Sequence, residues 1–221
     1  MTDADTRRET RTGEQVRDYL LAQLNATLRR PGMYGGETAL RLFFDAMAFT
    51  DDREQAWREE QDSLRERGAF LSTGVRGAFE SLWDAGTEDM VASVYAECAH
   101  RHGWLHLDRV LPRDEYDGLI GVGETWCEGD RTLGQILGMA GPPSLHCGGT
   151  NPYRPKTLVY ATEHPRDPLL CLHFWNELLE PSTDRVALYD EPVLLAVRVG
   201  GADFADGFTF TPTGTNRRWE T

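Results

Sequence analysis

Apolar residues recur every three to four positions along the first half of the chain, and in alternation or short runs along the second. From Glu14 to Arg30, Val16, Leu20, Leu24 and Leu28 fall on one stripe widened by Tyr19 and Leu21. This spacing predicts an amphipathic helix ended by Pro31 and Gly32. Leu40, Phe43, Phe44 and Met47 repeat the pattern within Glu37 to Thr50. Asp52 to Gly68 is charged and polar apart from Trp57 and Leu64, and reads as an exposed helix held by few contacts. Val75, Phe79, Leu82 and Trp83 mark a fourth helix, and Val91, Val94, Tyr95 and Cys98 a fifth that ends at Gly103.

After about residue 104 the pattern changes. Leu119 to Glu124 reads as a short strand between glycines, and Thr132 to Met139 as a short helix. Gly141 to Pro155 holds four Pro and three Gly and reads as a long irregular loop. Strand-like runs follow at Thr157–Thr162, Leu169–Trp175, Arg185–Tyr189, Val193–Val199 and Phe208–Thr211. Short connections at His164–Asp167 and Gly200–Asp203 predict antiparallel hairpins. The unbroken apolar run from Val193 to Val197 marks a central strand that starts after Pro192. Helices first and strands afterwards give an α+β fold. The expected layout is a flexible tail over 1–12 and one domain over 13–221, its helical part (13–103) packed on a mostly antiparallel sheet (104–221).

Composition narrows the functional classes. The 221 residues are 40% hydrophobic and 10% aromatic, which is globular composition. No window approaches the roughly 20 consecutive apolar residues of a membrane helix, and Met1 to Thr12 has no apolar stretch resembling a secretion signal. Cys98, Cys127, Cys147 and Cys171 are widely spaced, unlike a disulfide framework, so a reduced, cytoplasmic setting is expected. Lys156 is the single lysine among the cations. That bias reflects GC-rich codons and points to a bacterial source. The net charge of −13 opposes binding to phosphate backbones and favours a protein partner of basic character.

Four segments carry candidate chemistry. The loop Arg30-Pro31-Gly32-Met33-Tyr34-Gly35-Gly36 offers Arg30 and Tyr34 as binding residues. Its first five residues resemble a segment of the ATPase domain of type II topoisomerases, a family whose members bind ATP and Mg²⁺. The resemblance covers those five residues. The following helix lacks the Asn that would hold Mg²⁺, and Asp117-Gly118-Leu119-Ile120-Gly121 lacks the Asp-x-Gly-x-Gly spacing, so ATP binding is not carried over. Read as structure, the loop is a turn in which glycines supply positive φ and Met33 with Tyr34 plug the space between helix ends.

Cys98, His100, His102 and His106 crowd nine residues, but neighbours two apart on a helix point about 200° from each other, so no shared metal centre is expected. In Pro142–Pro152, Cys147 beside Gly148 and Gly149 could act as a nucleophile with backbone amides to hold an oxyanion. His146 could serve as an acid–base group, and His173 would come across from a strand. Thr150, Asn151 and Tyr153 are the binding candidates of this loop. In Cys171–Asn176, alternation places Cys171, His173 and Trp175 on one sheet face and Leu172 and Phe174 on the other. The acidic pairs and runs, Glu88–Asp89 among them, read as solvated faces. The sequence therefore leads to a small acidic interaction protein, such as an immunity- or inhibitor-type partner of a basic bacterial protein, without a cofactor. The competing reading is an enzyme whose site lies on the 141–155 loop.

Overall fold

The computed structural model describes residues 12–83, 87–179, 186–201 and 203–219. It is an α+β fold, eight α-helices and one five-stranded antiparallel sheet among the described residues. The first helix, α1 (Gly13–Arg29), begins at a capping box: the Thr12 hydroxyl accepts from the Gln15 amide and the Gln15 side chain accepts from the Thr12 amide. Thr12 thus belongs to the helix rather than to a tail; residues 1–11 of the expected tail lie outside the described residues. A 3₁₀ turn at Pro31–Met33 leads into α2 (Gly36–Thr50), through Gly35 and Gly36 at φ 94° and 61°. Pro31 and the glycines behave as expected, but the plug does not form. Met33 is 71% and Tyr34 44% exposed, because the turn holds both side chains outside the helix pair.

Then come α3 (Glu54–Glu66), α4 (Val75–Glu80) and α5 (Glu88–His102). α3 is pinned by buried Trp57 and Leu64, the two apolar residues its sequence offers. The first amides of α4 are satisfied from outside: those of Val75 and Arg76 donate to the Glu37 carboxylate at 2.7 and 3.0 Å, and the Tyr95 hydroxyl adds a third bond at 2.9 Å. Gly103, in the left-handed region, closes α5.

The segment expected as a strand at Leu119–Glu124 lies instead in α6 (Arg113–Gly123), followed by a 3₁₀ turn at Glu124–Glu128 and α7 (Leu133–Ala140). Tyr116, Leu119, Ile120 and Gly123 stand at i, i+3, i+4 and i+7, and all turn toward the sheet. The sheet is a meander of β1 (Leu145–Cys147), β2 (Lys156–Tyr160), β3 (Leu170–Trp175), β4 (Val193–Val199) and β5 (Phe208–Phe210). β1 falls inside the stretch expected as irregular loop. From Val186 to Tyr189 there is no strand; Ala187 forms one isolated bridge to Leu178, and Arg185 lies outside the described residues.

Helices cover both sheet faces. Leu145, Cys147, Val159, Cys171, Trp175 and Ala196 pack against α1–α5, while Leu158, Tyr160, Leu172, Phe174 and Leu194 pack against α6 and α7. This is why β2 and β3 are buried at every position, with no polar face toward water.

Candidate functional site

Strand pairing puts Cys147 opposite Thr157, and Thr157 opposite His173, in one row on the face toward α1–α5. Cys147 and His173 are thus two strands apart, about 10 Å at the usual interstrand spacing, with Thr157 between them. The Thr157 hydroxyl lies 3.0 Å from Asp89 Oδ2 and 3.1 Å from His173 Nδ1. Asp89 occupies the first turn of α5 and is 5% exposed, so it is not part of a solvated face. Burial raises its carboxyl to about 6, against the opposing pull of the Thr157 hydrogen bond and the Lys156 ammonium.

Lys156 is itself buried and donates to the Asn151 carbonyl at 2.9 Å. Burial lowers its pKa and Asp89 opposes that shift. Burial also lowers His173 well below the ordinary imidazole value, with Arg198 acting in the same direction, so its ring is neutral. His173 packs edge-on against Phe79, and its Nε2 has no hydrogen-bond partner.

Cys147 is fully buried, and burial drives its thiol well above the ordinary range. His146 points the other way from its neighbours, half-buried, with its pKa lowered by burial and then by Lys156. The next residues make a ligand-sized feature. A cleft of about 410 Å³ has one wall from Arg30–Met33, an opposite wall from Gly148, Gly149, Arg154 and Pro155, and a floor from Thr87–Asp89. The two loops are tied together by the Gly148 amide, which donates to the Arg29 carbonyl at 2.9 Å. Gly148 has φ 118°, and a Cβ there would stand 3.1–3.2 Å from Lys156 and the Pro155 carbonyl, so only glycine fits this crossing.

Of the sequence-derived binding residues, Arg30 lines this cleft. Tyr34 sits beyond the turn, half-exposed. Thr150 and Asn151 are exposed, and the Asn151 side chain accepts from the Tyr153 amide at 2.9 Å, an Asx turn that shapes the loop. Asp89, Thr157, Lys156 and Arg154 were not singled out from sequence. The single lysine of an arginine-rich chain was the one signal available for any of them. Among the described residues no three His, Cys, Asp or Glu side chains are grouped to hold a metal ion. No family model, curated protein or solved structure matches the chain.

A second polar cluster lies deeper between α5 and the sheet. Glu97 meets Arg198 at 3.0 Å and Arg101 at 2.7 Å, and Arg198 also reaches Ser93 and Cys171. Burial alone would raise the Glu97 carboxyl, but Arg198 and Arg101 outweigh it and hold it down to about 2. This cluster faces no large opening and joins α5 to β4.

Proposed function

We propose that the protein acts by binding another protein, a partner of basic character, rather than by catalysis. An immunity- or inhibitor-type role against a cationic bacterial protein in the cytoplasm is the form of this reading that fits its charge. The observation that carries it is on α2. Leu42 and Phe49 are 64% and 74% exposed, spaced seven residues apart on the side opposite buried Leu40, Phe44 and Met47. Exposed Asp45 lies between them in sequence and accepts from the Trp57 indole of α3 at 2.7 Å. Large apolar side chains grouped on the outer face of a packed helix are a mark of an interaction surface.

Tyr19 and Val16 are also exposed, on α1, which packs beside α2. The net charge of −13 supplies the complement for a basic partner and favours fast association with it. The buried, hard-to-ionise thiol of Cys147 weighs against the nucleophile reading, since attack needs an accessible thiolate.

The test is retention of host proteins by the immobilised full-length chain, beside the double variant Leu42→Asp/Phe49→Asp. A basic protein held by the wild type at low salt, released as salt rises and absent from the variant, is the expected result. Identical retention by both proteins overturns the reading. So does light scattering that finds the wild type self-associating through this face.

A further inference from the structure

The cleft between the Arg30–Met33 turn and the Gly148–Pro155 loop carries a charge arrangement unlike the rest of this acidic chain. Most cations of the described residues are engaged, among them Arg17 with Asp51, Arg29 with Asp108, Arg113 with Asp117 and Asp167, and Arg198 with Glu97. Arg30 and Arg154 both line the cleft, and neither guanidinium has an ion-pair or hydrogen-bond partner among the described residues. Each of the two carboxylates at the floor has a cation beside it. Glu88 is paired with Arg76 through Oε1, its buried Oε2 having no hydrogen-bond partner, while Asp89 takes the Thr157 hydroxyl with the Lys156 ammonium nearby. Two arginines without a carboxylate partner therefore line a space whose two carboxylates each already have a cation beside them.

The remaining surfaces suit the same kind of ligand. The floor is the first turn of the 15-residue α5, whose N-cap Thr87 makes no side-chain capping bond and whose first turn already carries Glu88 and Asp89. Pro31, Met33 and Pro155 give apolar wall, and a volume near 410 Å³ falls in the range of small-molecule sites.

We propose that this cleft binds a small molecule bearing a doubly charged oxyanion, a phosphate ester or a dicarboxylate, held by Arg30 and Arg154 at the N-terminus of α5. Guanidinium pairs hold such groups through bidentate, charge-assisted hydrogen bonds. The residues involved are not those of the α2 face, so this site and the protein-binding reading stand or fall separately.

The test measures thermal unfolding and calorimetric titration of the full chain with inorganic phosphate, phenyl phosphate and succinate, at constant ionic strength set with chloride. Wild type is compared with Arg30→Gln, Arg154→Gln and the double variant. Both arginines are exposed, so equal melting midpoints without oxyanion will establish that the variants are folded. The expected result is saturable binding of at least one probe, weakened about tenfold or more in the single variants and abolished in the double variant. Tighter binding of phenyl phosphate than of succinate assigns the site to phosphate esters, and the reverse order to dicarboxylates. A midpoint that rises equally in wild type and double variant is the general stabilisation of proteins by such salts, and overturns the proposal. Absence of any saturable binding overturns it as well.

Discussion

The Thr157 hydroxyl lies 3.0 Å from the carboxylate of Asp89, joining the first turn of α5 to the second strand of the sheet. A hydroxyl has one proton to give. Donated to ionised Asp89, it leaves an oxygen that accepts from His173 Nδ1 at 3.1 Å, which fixes the proton of the neutral imidazole on Nδ1. Three buried polar side chains from α5, β2 and β3 are thus linked through one small group, while His173 Nε2 keeps no partner.

Thr157→Val keeps the shape and removes the shared partner. It leaves a buried carboxylate and a buried ring N–H each short of a bond, at about 1–3 kcal/mol apiece. The expected loss is roughly 2–4 kcal/mol in urea unfolding at neutral pH, with Thr157→Ser recovering most of it. A loss below about 0.5 kcal/mol, the usual range of a surface substitution, would show that the chain of bonds does not form.

Asp89 itself sets a pH dependence of uncommon sign. Its carboxyl titrates near 6 in the folded protein against 3.8 in the unfolded chain, a difference of roughly 3 kcal/mol. The raised folded value means the native state holds the proton more tightly. This group therefore destabilises the fold above pH 6, and the penalty fades as pH falls from 6 toward 3.8. Asp89→Asn imitates the protonated form. The variant is expected to exceed the wild type in stability at pH 7 by about 2–3 kcal/mol and to match it near pH 4. Chemical denaturation across that interval, with both proteins side by side, measures the convergence; parallel curves would place the Asp89 carboxyl in water.

These residues explain where the sequence was legible and where it was not. Val193–Val199 is bounded in the structure as its apolar run and leading proline suggest, because a strand buried on both faces has only one way to read. α6 was hidden by its composition. Gly118, Gly121 and Gly123 break helix propensity and flank Leu119 and Ile120 as they would a strand, while the spacing from Tyr116 to Gly123 is helical. Tertiary packing on the sheet decides the conflict. β1 is three residues long, too short for periodicity inside a loop rich in Pro and Gly. Asp89 was illegible for a different reason. Its burial depends on Thr157 and Lys156, more than 60 positions away, and an acidic residue in a helix's first turn is ordinary in water.

Glu97 shows the more familiar sign. Its folded carboxyl is held near 2 against 4.5 in the unfolded chain, so it contributes stability above pH 4.5 that is lost as pH falls toward 2. Removing the charge strands Arg198, which is 3% exposed, without its counter-ion. Glu97→Gln is expected to cost about 3–5 kcal/mol at neutral pH, and Glu97→Gln with Arg198→Met markedly less, since the pair is then removed together. A double-variant loss equal to the sum of the Glu97→Gln and Arg198→Met losses would mean that the two charges are not coupled.

The four cysteines offer a direct reading of the loop's chemistry. Cys98, Cys127, Cys147 and Cys171 are all buried and unpaired, and burial raises each thiol. Thiol reagents attack the thiolate, and access and ionisation are both withheld. In the native protein at pH 8 a disulfide reagent is expected to modify none of the four within minutes, and all four once the chain is unfolded. Any slow native reaction will track the opening of the fold rather than reagent concentration. Rapid modification confined to Cys147 would mean that the Gly148–Gly149 loop opens readily and exposes a reactive sulfur beside the cleft. That outcome would return a nucleophilic mechanism to first place, because an accessible thiol next to glycine amides is the arrangement acyl transfer uses.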